Sequence, residues 1–473
     1  MLENRIFNSR VNPDKITFKE QLVGFFISPA GMGALNALLA SYLNLYYTDV
    51  LKLTLVWNGA YLVLLPILSK LLSILFNILF GKVIDKTKGK NGKARPWILI
   101  SAPLILVSGI LLAVLPSWDL NWQLAWIFIT YNCYFSLAAN MYGMAHSLIV
   151  PLATRDVKKR NRLSIISSIG STFGNGVFAV GIFAMLILPL LRVDPSKWLL
   201  ALSCYSVAAF VLVITEYYFT YERNGGETVE RKIKIKEQMK MLFSDHYWVL
   251  IASLTAVFAF GTEVRNISVM YYCEWTLGTY EHATEYYALI QLIGGFPLWA
   301  GAVVIDPLVR KFGKRMLIVI GMLIAAFGDF LEFGLMRNVY GVVCGAVIRN
   351  IGLVPILYAL SSLFADTLDH AGAKNGRRSD GAAIGADNVI RTISAGLGTG
   401  FVNLMLFIYG YQAPDASLTV QNPQNEGMQL AFAILFALVP GICAVVMSVI
   451  AFFLDVEKHM PNQAKPLEEK TEN

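Results

Sequence analysis

Charge is what this chain has little of. Only 15% of its 473 residues are Asp, Glu, Lys or Arg, against 56% hydrophobic, and the mean hydropathy is +0.56. One soluble core cannot hide that much apolar surface, which excludes an ordinary globular domain. Cysteine is equally sparse: Cys133, Cys204, Cys273, Cys344 and Cys443 stand singly in apolar stretches, with no CxxC and no histidine at metal spacing. That excludes a disulfide framework or zinc site and leaves them as small packing residues. A Walker loop, GxSxG, HExxH and a dinucleotide fingerprint are all missing, so no residues carry an enzyme reading, and neither cofactor nor metal is expected.

Long apolar runs are what the chain has instead. Twelve of about 18 residues or more fall near 20–47, 56–83, 97–116, 122–152, 164–191, 197–219, 247–275, 284–308, 315–336, 340–365, 382–410 and 428–454. Helix is the state that satisfies a lipid-facing backbone from within, and a barrel would show short alternating segments. An all-α polytopic membrane protein is expected. Residues 1–19 are polar and mixed in charge, so no cleavable signal peptide is read there and the first run is a span.

Lysine and arginine fix the expected orientation. Twenty-three fall in the alternate stretches 84–96, 152–163, 220–246, 309–315 and 367–380, whereas the other connections hold only Lys52, Arg192, Lys197 and Arg337. Both termini are therefore expected in the cytoplasm, in a cytoplasmic membrane. The net charge of +7 follows from this asymmetry, which leaves no case for a nucleic-acid partner. The longest basic stretch parts six runs from six. The expected organisation is a cytoplasmic segment 1–19, a six-helix half 20–220, a central loop 221–246, a second half 247–455 and a tail 456–473.

The halves echo one another. "GKVIDKTKGKNGKARP" closes the second run and "AVVIDPLVRKFGKR" the eighth, each with a small residue four positions before an acid, Gly81 with Asp85 and Ala302 with Asp306. Small residues let helices approach, and the acids and bases suit a cytoplasmic charge gate, to which Arg95 and Asp366 are added.

Gly81-x-x-x-Asp85-x-Thr87, then Gly92, Arg95 and Pro96, resembles the loop after helix 2 of the glycoside-pentoside-hexuronide cation symporters, a branch of the major facilitator superfamily. "YLNLYYTDVLKL", "NISVMYYCEWTLG" and "FADTLDHAGAKNGRRSDG" with "RTISAGLGTG" resemble three further stretches of that family in the same order. The resemblance covers nearly the whole chain. It implies the major facilitator fold, twelve helices in two six-helix halves, and transport of a small hydrophilic solute.

The polar centre departs from that family. Its helix 2 arginine falls on Lys70, but its two coupling aspartates fall on Ser73 and Asn77. Its helix 1 acid falls on Gly33, its helix 4 acid or asparagine near Gly143, its helix 5 arginine near Ser168, and its helix 11 lysine on Arg391 or Thr392. A hard cation wants anionic oxygens, so the coupling ion is expected to be a proton, if any, and not sodium.

The charges that remain within the runs each need a partner or a use. Lys70 is read as a cavity-facing cation or, alternatively, a structural one. Glu263 and Asn266, three apart, share a face and are candidate pore-lining groups, with Glu263, which has no obvious partner in its own turn, the best remaining coupling acid. Asp387 and Arg391, four apart, have ion-pair spacing. His146 stands inside an apolar run as a candidate proton carrier or a packing residue. Asp329 and Glu332 in the ninth run rank lower as substrate contacts. The expected function is that of a secondary transporter moving a sugar or glycoside by alternating access, proton-coupled or uncoupled and not sodium-dependent, acting as a monomer in the bilayer. The alternatives are an organic-anion carrier, suggested by Lys70, Arg265, Arg349 and Arg391, a lysolipid-like amphiphile carrier, and a transport-inactive membrane sensor.

Overall fold

The computed structural model describes residues 8–87, 92–154, 156–191, 193–223, 240, 242–278, 282–375, 380–415 and 421–456; the side chains of Asp85 and Asp306 fall outside the description. Each of the twelve apolar runs is helical. They are α1 (Glu20–Val50), α2 (Ala60–Lys86), α3 (Arg95–Leu111), α4 (120–153), α5 (157–191), α6 (Pro195–Phe219), α7 (His246–Leu277), α8 (Ala283–Phe312), α9 (Lys314–Gly334), α10 (Val339–Asn375), α11 (Asp380–Ile408) and α12 (Glu426–Phe453). Among the described residues nine of them are long and apolar enough to cross a membrane. Of the others, α3 is shorter, α4 reaches its length through three consecutive segments, and α8 carries charge towards its end. Wide π-type turns interrupt α1, α4, α5, α7 and α12, a feature that recurs at functional positions.

Two compact units are present. The first holds Met1–Val229, Asn266–Ala288 and Thr399–Phe432; the second holds Glu230–Arg265, Leu289–Gly398 and Ala433–Asn473. Lipid removes most of the hydrophobic drive for helix association, so close backbone approach and polar contacts have to hold helices together. In the first unit α1 lies against α5 and α6. A methyl group placed on Gly174 of α5 would sit 2.0 Å from the Ala30 carbonyl oxygen of α1, so only glycine permits this crossing. Ser28 and Thr215 share a hydroxyl hydrogen bond of 2.8 Å between α1 and α6.

Pro66 shows how a sequence feature becomes a tertiary contact. Lacking an N–H, it frees the carbonyl of Leu62 one turn earlier, and Asn403 Nδ2 donates to that carbonyl at 2.8 Å. Leu68, Leu71, Leu75 and Leu79 leave an exposed apolar stripe on α2, as a lipid-facing helix requires. In the second unit α9 packs on α10 and α12 around Ile318, Met322, Ile356 and Met447.

Candidate substrate and coupling site

The first candidate group lies along α2. Lys70, Ser73 and Asn77 recur at helical spacing, and across from them α4 supplies Asn132, Ser136 and Asn140. Ser73 Oγ and Ser136 Oγ are 2.9 Å apart, and the Ser69 carbonyl accepts from Ser73 at 2.9 Å. Ser136 Oγ also lies 2.8 Å from Asn132 Oδ1, and Asn140 Nδ2 donates to the Ser136 carbonyl at 3.0 Å. The seam is built of hydroxyls and amides. Ser69 Oγ and Asn77 Oδ1 are buried without a hydrogen-bond partner, so acceptor and donor capacity is left over. Half-buried Lys70 makes no hydrogen bond or ion pair among the described residues.

The family's lost acids are explained in part by space. A side chain on Gly33 would begin 2.3 Å from the Ser171 carbonyl oxygen, so the α1–α5 contact leaves no room for a carboxylate. Gly143 meets nothing within 4 Å, so there the acid is missing without steric cause.

His146 does not stand alone. Its Nδ1 is 2.6 Å from Glu216 Oε1, its Nε2 is 2.8 Å from Ser167 Oγ, and Tyr142 donates to Glu216 Oε2 at 2.7 Å. Glu216 is fully buried. Every polar atom of the imidazole is committed, which suits a helix tie between α4, α5 and α6 better than a proton carrier exchanging with water.

The second unit holds the other charges. Arg265 donates to both oxygens of Glu332, at 2.6 and 2.8 Å, to Asp329 Oδ1 at 3.1 Å and to the Phe436 carbonyl at 3.0 Å. Arg349 Nε lies 2.9 Å from the same Asp329 oxygen. Asp387 accepts from Arg391 Nε and from Thr255, both at 2.6 Å. Arg265, Arg349 and Arg391 are thus neutralised by acids. This corrects the expectation of an electropositive set of four cations, because three of them are occupied and Lys70 remains. Glu263 is half-buried where α7 meets α11, its Cβ facing Gly398, and Asn266 is half-buried without a hydrogen bond among the described residues.

The expected gate residues fall in several places. Gly81 would meet only Met144 at 3.7 Å if it carried a methyl group, an ordinary contact, so close helix approach is not its purpose. Arg95 is buried, stacks over Tyr217 at 4.6 Å and donates to the Tyr217 carbonyl at 2.9 Å. The chain before it turns at Gly92, with φ +98°, so that the Glu222 carboxylate can accept the N–H groups of Lys93, Ala94 and Arg95 at 2.7 to 2.9 Å. That is an anion cap on the start of α3. Asp366 pairs with Lys314. Asp85 and Asp306 are outside the described side chains.

Two carboxylates were passed over as site residues although both lie in stretches that carry the resemblance. Asp49, in the final π turn of α1, accepts from Thr48 and from Tyr411, each at 2.8 Å. Thr48 Oγ1 lies 2.8 Å from Tyr271 Oη, to which Asn44 donates at 3.0 Å. Glu274 lies in the final π turn of α7. Burial, and after it the Asp49 carboxylate, hold the Tyr411 phenol well above its ordinary range, so it remains a donor.

Comparison with known proteins places this arrangement. A family model described as "MFS/sugar transport protein" matches residues 24–458. The chain is 24% identical to the isoprimeverose transporter of Lactiplantibacillus pentosus, over 92% of this chain and 88% of that protein. It is 24% identical to the inner membrane symporter YicJ and 23% to a putative sulfoquinovose importer, both of Escherichia coli (strain K12), over 87% and 84% of its length and 86% and 83% of theirs. Among solved structures, the D-xylose–proton symporter superposes with a TM-score of 0.66 at 13% identity, covering 92% of this chain and 97% of that one. The fold is therefore the major facilitator fold expected from the sequence, and the chain belongs to the MFS/sugar transport protein family.

Proposed function

We propose that this protein moves a sugar or glycoside across the cytoplasmic membrane by alternating access, with both termini in the cytoplasm, driven by protons or by the solute gradient and not by sodium. The observation that carries the reading is the α2–α4 seam, where hydroxyls and amides of Ser69, Ser73, Asn77, Asn132 and Ser136 replace the carboxylates a sodium ion would need, beside a lysine without a partner among the described residues. Neutral donors and acceptors suit a polyhydroxylated solute, and the unsatisfied ones set the cost of an empty or wrongly filled site. Lys70 favours a second reading within the same class, a sugar bearing a carboxylate or sulfonate, since a buried ammonium is stabilised by an anion.

Counterflow in proteoliposomes tests this, using isoprimeverose, lactose, a glucuronide, sulfoquinovose and a simple organic anion as probes. Lys70→Ala is expected to leave folded yield unchanged and weaken apparent affinity, with Lys70→Arg milder because charge is kept. A loss confined to anionic sugars selects the second reading. Unchanged kinetics in Lys70→Ala would remove Lys70 from the site, and exchange of the organic anion alone would replace the sugar reading.

A further inference from the structure

We propose that Asp49 and Glu274 together bind the coupling proton of this transporter, a role that rests on the proton-coupled form of the function proposed above. Both carboxylates are almost wholly buried, at 3% and 4% exposure. Asp49 accepts the Tyr411 hydroxyl directly. Glu274 follows Tyr271 by three residues and precedes Trp275, and the rings of Tyr271 and Trp275 lie 5.5 and 6.5 Å from that of Tyr411.

What separates this pair from the other buried acids is the lack of a base. Glu20 has Arg223, Glu216 has His146, Asp245 has His370, Asp329 and Glu332 have Arg265, and Asp387 has Arg391. Among the described residues no lysine, arginine or histidine pairs with Asp49 or Glu274. The titratable groups facing them among the described residues are phenols: Tyr271 from α7 and Tyr411 after α11. The remaining donors to Asp49 are a threonine hydroxyl and, through Tyr271, an asparagine amide. Glu274 Oε2 accepts no hydrogen bond of full geometry among the described residues, and the neighbouring Trp275 side chain is a donor acting on this carboxylate.

Two buried carboxylates close to one another, with no cation paired to them among the described residues, strongly disfavour both being ionised, so one proton shared by the pair is the state compatible with this burial. Opening the site to water would release that proton and leave two anions. Binding is thereby tied to closure around the ends of α1 and α7, which the lysine and arginine pattern assigns to the outer face. The family's usual carboxylates are missing on α2, and this pair supplies acidic groups elsewhere.

The test uses the full chain in proteoliposomes, with exposed Asp156→Asn as control. Infrared difference spectra should show the carbonyl stretch of a buried protonated carboxyl group, lost in Asp49→Asn and Glu274→Gln and retained in the control. Tyr411→Phe should shift that band by removing a donor to Asp49 while keeping the ring, and it decides the matter if the carboxamide variants fail to fold. For whichever probe sugar the wild type exchanges, both carboxamide variants should keep counterflow yet lose accumulation, which for one proton per solute is about tenfold under a gradient of about one pH unit. A band unchanged in all three variants, or accumulation equal to wild type in both carboxamide variants, would overturn the proposal. If the wild type exchanges none of the sugars, the sugar reading fails and the infrared result still decides the proton site.

Discussion

Removing Arg265 should unfold this protein more readily than any loss of apolar packing at the same place. Its guanidinium makes two hydrogen bonds to Glu332, one to Asp329 and one to the Phe436 carbonyl, and lies 4.0 Å over the Phe436 ring. Arg265, Arg349, Asp329 and Glu332 form a neutral set of two cations and two anions, with Asp329 and Glu332 at 1% and 0% exposure. Arg265→Met keeps much of the volume but leaves Glu332 without its cation. Breaking a buried pair in this way costs about 3–5 kcal/mol, which lowers the folded-to-unfolded ratio about a hundredfold to several thousandfold.

The assay is thermal unfolding followed by size-exclusion fluorescence in detergent, run alongside Glu332→Gln and the double variant. Arg265→Met should melt well below wild type, and Arg265→Met with Glu332→Gln should recover part of the loss, with a coupling energy above about 1 kcal/mol. Arg265→Lys should fall between, because charge is kept and the bidentate fork is lost. Counterflow per folded molecule should change little in the double variant. A single variant as stable as wild type, or strict additivity in the double, would refute the view that the four charges act as one brace.

Three other outcomes are expected. Uptake with sodium replaced by choline at fixed pH should be unchanged, since Ser73 and Asn77 offer only neutral oxygens; a many-fold loss of rate would contradict this. Gly143→Asp should yield normal amounts of folded protein and Gly33→Asp should not, because the first site is open and the second meets the Ser171 carbonyl at 2.3 Å; equal yields would contradict the packing argument. His146→Leu should lower folded yield by leaving Glu216 buried without its base, with His146→Gln milder; normal yield with loss of uphill transport would make His146 a proton carrier after all.

The helices were legible because their cause is local: an apolar run of sufficient length can satisfy its backbone in lipid only as a helix, and all twelve runs are helical. The pairing of Asp387 with Arg391 was legible for the same reason, since both partners lie one turn apart. Partnerships across the chain were not. Glu216 lies 70 residues from His146, Glu332 lies 67 from Arg265, and Glu20 lies 203 from Arg223, and no spacing rule reaches that far. Glu263 reads from the sequence as a coupling acid because its own turn offers no obvious partner, a criterion that says nothing of neighbouring helices. Gly33 could be aligned with a lost acid from sequence, but the reason for the loss, the backbone of α5, belongs to packing alone.

What distinguishes functional charge from structural charge in this molecule is compensation. A charge within the bilayer that meets a fixed opposite charge at hydrogen-bond distance has already found its most favourable environment, and a passing solute or proton can offer it little more. Arg265, Arg349, Arg391, Glu216 and Glu332 are of this kind, each held by geometry that would have to break before it could serve transport. Among the described residues Lys70, and Asp49 with Glu274, carry the opposite imbalance: a cation without an anion, and two anions without a cation. An anionic or strongly hydrogen-bonding solute improves the first, and a proton improves the second. Transport coupled to protons needs two such unsatisfied sites, one for each cargo, and these two are the ones proposed to fill those roles.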